Sequence, residues 1–346
     1  MAGMHDGYKK IVSIKENAEL VTIKDIAKKA NVAPSTVSNV LNNTKYVTED
    51  VRERVFSAVE ELGYRPNLVA RSLKTKQTNT VGVIIPDITN AFFIEIVNTI
   101  EAYLYEKNYS ILVCCTRENK QKEQKYLLSL VQKGIDGLLF LGTGLNSSHL
   151  LAKLPIPIVL IDRVIGNQFP SVSIDNELGG YLGAKHLLER GARKISFLPG
   201  PLVLKTNMDR LQGYQRALAE NGVIYDSTLI VQCEPVTYES GWEAVERLDV
   251  DGVEYDAVFA ASDFLAVGAL RYLLHKNIRV PEQVKLVGFD GIPITEIFTP
   301  AITTVNQPKR KMGERAAQIL IKMMKKDPEG RVNEVYEPNL IVRDTS

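Results

Sequence analysis

The chain has 346 residues, 45% of them hydrophobic and 24% charged, with 42 Lys and Arg against 41 Asp and Glu for a net charge of +1. That length suits a small module joined to a body of two domains. No run of eighteen apolar residues occurs and the N-terminus lacks an apolar core segment, so neither a membrane span nor a secretory signal is expected, and the cytoplasm is the expected compartment.

Two short helical patterns joined by a tight turn open the interpretable part of the chain. Thr22 takes an N-cap position and Asp25 the first turn before Ile26-Ala27. Asn31 falls at the turn, where a residue tolerant of a left-handed backbone is wanted. Pro34 suits the first position of the next helix, because its missing N–H would have no partner there. From Pro34 to Leu41 that helix carries Val37 and Val40 on one side, while Ser35, Ser38, Asn39 and Asn42 face elsewhere. Such a helix, docked through its apolar face and presenting small hydrogen-bonding groups, fits the major groove of DNA.

A third helix follows, and then a basic stretch. Residues 64–76 hold Arg65, Arg71, Lys74 and Lys76 and no acid, and Pro66-Asn67 reads as the start of a short helix through Leu73. A helix so short is marginal in water and needs a partner to form. Residues 1–76 hold 13 Lys and Arg against 9 Asp and Glu, whereas 22–62 balance at 6 and 6, so the positive excess lies outside the first three helices. Phosphate attraction is therefore expected to concentrate near this hinge. Residues 77–80 read as a linker.

From residue 81 short apolar runs alternate with amphipathic helical stretches. The runs are 81–85, 110–115, 137–142, 156–162, 194–200, 229–233, 257–262 and 284–290. This alternation predicts parallel, doubly wound sheets divided between two domains. Cys114 and Cys115, inside the apolar run SILVCC, are expected as buried thiols. The three cysteines and the four scattered histidines have no metal-ligand spacing, and no metal or cofactor is expected. Neither a G-x-S-x-G elbow nor a P-loop occurs, which argues against an enzyme.

In doubly wound folds, ligands bind beyond the carboxyl ends of strands. Those places hold Asn90, Phe92 and Phe93; Asp162-Arg163; Asp175-Asn176; Ser262-Asp263; Asp290; and Gln307, with Arg210 in the loop and helix after the strand that ends near Gly200. Asp and Arg are planar bidentate partners for adjacent hydroxyls, and Phe offers a face to sugar C–H groups. Trp242, on a helical stretch, is expected to serve packing.

The segments TIKDIAKKANV, STVS, VLN, GYRPN and VARSLK, in this order and spacing, resemble the lactose-repressor (LacI/GalR) family of bacterial transcription regulators. The resemblance runs from residue 22 to 346 and implies a small all-α helix-turn-helix module plus an α/β body of two doubly wound parallel-sheet domains, periplasmic-binding-protein-like. It implies domains at 22–64 (helix-turn-helix), 65–80 (hinge helix and linker) and 81–346, the last divided into 81–177 with 308–333 and 178–307 with 334–346. Residues 1–21 are an extension beyond the usual family start. Carried over by position, the DNA-binding residues are Thr22, Pro34, Ser35, Thr36, Ser38, Asn39 and Asn42, with Val69, Ala70, Leu73 and Lys74 in the hinge. Leu73 is expected to wedge into a central minor-groove step beside Lys74.

The cleft set Asn90, Phe92, Phe93, Asp162, Arg163, Arg210, Asp290 and Gln307 is similar to that of the ribose-binding subgroup. Ser262 departs from it, standing where that subgroup usually has Asn. Purine-binding relatives carry Arg six residues before the position of Arg210, and this chain has Leu204 there. The resemblance thus implies a homodimer on a pseudo-palindromic double-stranded operator, controlled by a small sugar effector such as a pentose. An alternative inside the family is control by a phosphorylated carrier protein. A sugar-transport receptor or an enzyme is the more distant alternative.

Overall fold

The computed structural model describes residues 21–42, 45–64, 77–142, 148–166, 168–330 and 332–346. It divides into two compact units, one ending at Lys76 and one beginning at Gln77.

Among the described residues the first unit holds α1 (Ile23–Ala30), α2 (Pro34–Asn42) and α3 (Glu49–Glu61). A capping box starts α1: the Thr22 hydroxyl accepts from the Asp25 amide, and the Asp25 carboxylate accepts from the Thr22 amide at 2.8 Å. Asn31 ends the helix with φ 53° and ψ 51°, the left-handed cap that lets the chain turn sharply into α2. Ile26, Ala27 and Ala30 of α1 meet Val37 and Val40 of α2 and Val55 and Ala58 of α3 in one small core. Glu49 and Asp50 occupy the first turn of α3, where their charge suits the helix dipole.

The second unit contains two sheets. The first has the order β10-β5-β4-β3-β1-β2, all parallel, from β1 (Thr80–Ile85), β2 (Ser110–Cys115), β3 (Gly137–Phe140), β4 (Ile158–Ile161), β5 (Ser171–Ile174) and β10 (Asn333–Tyr336). The second has the order β11-β9-β8-β7-β6, from β6 (Ile195–Leu198), β7 (Ala257–Ala260), β8 (Lys285–Asp290), β9 (Thr303–Asn306) and β11 (Asn339–Ile341). Crossover helices link the parallel strands: α4 (Ala91–Glu106), α5 (Lys120–Gln132) and the short α6 (Ser148–Leu151) in the first half. The second half has α7 (Asn176–Glu189), α8 (Lys205–Glu220), α9 (Tyr238–Val250), α10 (Asp263–His275) and the short α11 (Ile294–Ile297). Helix α12 (Lys309–Met324) returns the chain to the first sheet, where Ile319, Leu320 and Ile321 are buried.

The strands β1, β3 and β4 are buried along most of their length, as sheets covered on both faces require. The edge strand β2 is different. Leu112 and Val113 are 39% and 38% exposed, and Cys114 and Cys115 are only partly buried, against the expectation of buried thiols. An edge strand has a neighbour on one side only, so an apolar run there is not enclosed. Cys233 is the buried thiol, and burial pushes it up to about 12.

Two further expectations are corrected. Residues 334–346 were expected in the second half, yet Asn333–Tyr336 pair with β5 in the first sheet and the chain joins the second sheet only at Asn339. There β11 runs antiparallel to β9, an exception to the all-parallel pattern. Residues 229–233 do not form a strand. The Val231 and Cys233 amides reach the Phe197 and Pro199 carbonyls, but the next residues of the neighbour include Pro199 and Pro201, which have no amide to return. Trp242 packs edge-to-face on Tyr272 at 5.2 Å, a core role as expected.

Candidate functional site

In the first unit, Val37 and Val40 point into the core, while Pro34 and Ser35 at the start of α2 are exposed. Thr36, Ser38 and Asn39 are half-buried. Thr22, at the N-terminus of α1, is exposed and holds the capping box. The backbone of Asn42 closes α2. Val69, Ala70, Leu73 and Lys74 lie outside the described residues. Thr22→Ala should remove the capping box and cost about 1 kcal/mol of α1 stability. Amide exchange across Ile23–Ala30 should then speed up by about fivefold, and unchanged exchange would show that the cap contributes nothing.

In the second unit, nearly all the cleft residues are brought together between the two sheets. Asp162 follows β4 with φ +66°, and Asp290 ends β8 with φ +115°. Non-glycine residues rarely adopt such angles, and each costs about 1–3 kcal/mol unless its surroundings hold it there. Two strained aspartates, from opposite halves, both 6% exposed, make this cleft the candidate functional site.

Arg210 stands between them. Its Nε donates to Asn176 Oδ1 at 2.8 Å, and its Nη1 donates to the Ala261 carbonyl at 2.6 Å. Nη1 also lies 4.0 Å from Asp290 Oδ1, and the guanidinium stacks 3.7 Å over the Phe289 ring. Helices α7 and α8 must approach closely for this reach. A Cβ on Gly180 would collide with the Arg210 carbonyl. Burial lowers the Arg210 pKa against the pull of Asp290 and Asp162. Burial likewise raises Asp162 and Asp290, opposed in each case first by Arg210.

Around Asp290 the network is tight. Its Oδ1 accepts from Gln307 Nε2 at 2.8 Å and its Oδ2 from the Ser262 hydroxyl at 3.2 Å. Ser262 also caps α10, accepting from the Phe264 amide. On the other wall, Arg163 gives both terminal nitrogens to Glu118, at 2.9 and 2.8 Å. Burial pulls its pKa down, but Glu118 outweighs this and holds it up. Its Nε is buried with no hydrogen-bond partner and is a donor left over for a ligand, while the ion pair with Glu118 holds the guanidinium in place. Asn90 caps α4, accepting from the Phe92 amide at 2.9 Å. Phe92 and Phe93 are buried edge-to-face, and Arg163 lies 6.0 Å over Phe93.

Asp162 Oδ1, Arg163 Nε and Gln307 Oε1 are buried polar atoms without a hydrogen-bond partner. Unpaired buried groups are costly, so a polar ligand that supplies donors to the two oxygens and an acceptor to the nitrogen fits here. A cavity of about 490 Å³ opens beside Asp162 and Arg163, lined also by Asn176, Leu204, Thr206 and Asp209 among others; Arg210, Asp290 and Gln307 do not line it. Among the described residues no group of His, Cys, Asp and Glu is suited to a metal.

Sequence reasoning missed Asn176 as a partner of Arg210, Phe289 as its stacking face, and Lys309. Asn176 was visible as a strand-end residue. Phe289 was hidden in an apolar run, where a ring under a cation looks like any core residue.

This architecture defines a class: a helix-turn-helix unit joined to a two-sheet body with a charged ligand cleft. Residues 22–67 match the pattern of bacterial regulatory proteins of the lacI family, and residues 184–346 match that of the periplasmic binding protein-like domain. The chain is 37% identical over 333 residues to the HTH-type transcriptional repressor PurR of Vibrio atlanticus (strain LGP32), covering 94% of this chain and 98% of that protein. It belongs to the LacI family of DNA-binding transcription regulators. Among solved structures, the transcriptional regulator CelR in complex with cellobiose is 32% identical, with a TM-score of 0.73, covering 94% of this chain and all of that one. The lac repressor dimer bound to operator and the anti-inducer ONPF is 26% identical with a TM-score of 0.85, covering 94% and 99% of the two chains.

Proposed function

We propose that this regulator is a repressor of sugar-utilisation genes, induced by a small uncharged sugar, a pentose such as D-ribose, in the cleft between its two sheets. The observation that carries this reading is the pair of strained, buried aspartates flanking Arg210, with unpaired oxygens on Asp162 and Gln307. Vicinal hydroxyls supply donors to such acceptors at fixed spacing. Leu204, buried at the start of α8, offers no polar group where purine-binding relatives were expected to carry Arg, which favours a sugar over a purine. The cellobiose named with CelR is a sugar in a relative's complex.

The functional unit on this reading is a homodimer on a pseudo-palindromic operator in the cytoplasm, with one α2 in the major groove of each half-site. The exposed apolar edge at Leu112 and Val113 supports dimerisation. Sugar binding shifts the balance between cleft states by no more than its differential affinity for them, about 1–3 kcal/mol in typical cases.

A thermal-shift titration tests the effector. D-ribose at a hundredfold excess over its Kd should stabilise the body by about 2.7 kcal/mol, a rise of about 5 °C or more in Tm. If no pentose or hexose shifts Tm, and a phosphorylated carrier protein alone alters operator affinity, the sugar reading is wrong.

A further inference from the structure

Helix α12 begins in an unusual way. Its first turn carries Lys309, Arg310 and Lys311 and no acid. Cations oppose the helix dipole at an N-terminus. Lys309 is nonetheless only 5% exposed. A buried cation at the wrong end of a helix costs stability twice over, so its contacts carry the explanation.

Those contacts converge on the effector cleft from behind. Lys309 Nζ donates to the Asp290 and Gly291 carbonyls, both at 2.7 Å, and to Asn306 Oδ1 at 3.3 Å. An ammonium has three N–H groups, and three acceptors surround this one. The two carbonyls belong to the turn at φ +115° and +67° that aims the Asp290 carboxylate at Ser262, Gln307 and Arg210. On its other side, Lys309 lies 3.9 Å from Glu95 Oε2. Glu95 sits on α4, one turn beyond Phe92, on the helix that Asn90 caps. Its Oε1 is buried and unpaired, and burial raises its pKa against the charge of Lys309. Lys309 itself opens α12 directly after residues 307–308, the crossover from β9.

We infer that Lys309 is a positioning residue for the effector site: it holds the strained Asp290–Gly291 turn in its binding conformation and joins that turn electrostatically to the start of α4. One ammonium thereby fixes the relation between a ligand carboxylate of the second sheet and the Asn90–Phe93 wall of the first. The inference rests on the reading that this cleft binds the effector. Arginine can replace the ammonium as a multiple donor to the carbonyls, whereas methionine fills the space and donates nothing.

The test uses the full chain and D-ribose as the probe. Lys309→Met should weaken D-ribose binding in calorimetry by at least thirtyfold. Lys309→Arg should recover to within fivefold of wild type. Without any ligand, amide exchange in Lys309→Met should rise at least tenfold at residues 288–293 and at 90–96, and stay unchanged at 238–275. A merely structural lysine would raise exchange at 238–275 as well, and that result overturns the inference. So does Lys309→Met binding D-ribose within threefold of wild type. If the wild-type chain binds no D-ribose, the proposed effector is wrong, and the exchange pattern alone decides the role of Lys309.

Discussion

Replacing Arg210 by methionine is expected to abolish the response to effector and to lower the stability of the body by about 3–5 kcal/mol, the usual cost of stripping one partner from a buried charged group. Arg210 is 7% exposed and binds Asn176, the Ala261 carbonyl and, at longer range, Asp290. Methionine matches its stem but leaves the Asn176 oxygen and the Ala261 carbonyl without these bonds. It also leaves Asp162 and Asp290 without the cation that most opposes their burial. Both carboxyls would then hold their protons to higher pH than in the wild type. A group whose folded pKa is raised takes up a proton on folding, so its contribution is lost as pH rises through the window from the ordinary Asp range up to the raised value. The variant should therefore be closer to wild type in urea unfolding at pH 5 than at pH 8. Equal losses at both pH values would show that Asp162 and Asp290 do not depend on Arg210.

Asp290→Ala is a milder change by the same geometry. Arg210 keeps Asn176, Ala261 and the Phe289 ring, so it is not left without partners.

The second large effect is expected at the DNA interface. Asn39→Ala should weaken binding to a selected operator by about 1–3 kcal/mol and relax one base position, since a bidentate amide on a base edge is worth that much discrimination. Val37 and Val40 on the opposite side are fully in the core, so the orientation of α2 is fixed by packing and does not depend on residue 39. Non-specific binding and the salt dependence should be unchanged, because no charge that neutralises phosphate is removed. Site selection from a random pool decides the matter: an identical preferred sequence in wild type and variant would take Asn39 out of base readout. Pro34 and Ser35, exposed at the start of α2, stand nearest to the other bases of each half-site on this reading. Proline cannot donate, so Pro34 is limited to apolar contact, for instance with a thymine methyl.

The amino-acid sequence by itself determined whatever depends on neighbours along the chain. The Thr22 cap, the left-handed Asn31, the proline that opens α2 and the valine spacing of its buried face are all local facts. They hold in the structure because a helix is built from residues three and four apart. Strand-helix alternation and the residues at strand ends were legible for the same reason, which is why Asp162, Ser262, Asp290 and Gln307 could be named before their distances were known.

Only the tertiary structure decided what depends on partners distant in sequence. It put SILVCC at an edge, where an apolar run stays half open, and drew Asn333–Tyr336 into the first sheet by parallel pairing with β5. It tied both terminal nitrogens of Arg163 to Glu118, forty-five residues away, and so fixed the direction of the guanidinium. It also set Lys309 beneath the Asp290 turn. A lysine in a helix reads as surface in any sequence pattern, because burial of a charge is set by carbonyls that other segments bring to it, here Asp290 and Gly291 on the opposite side of a chain crossover.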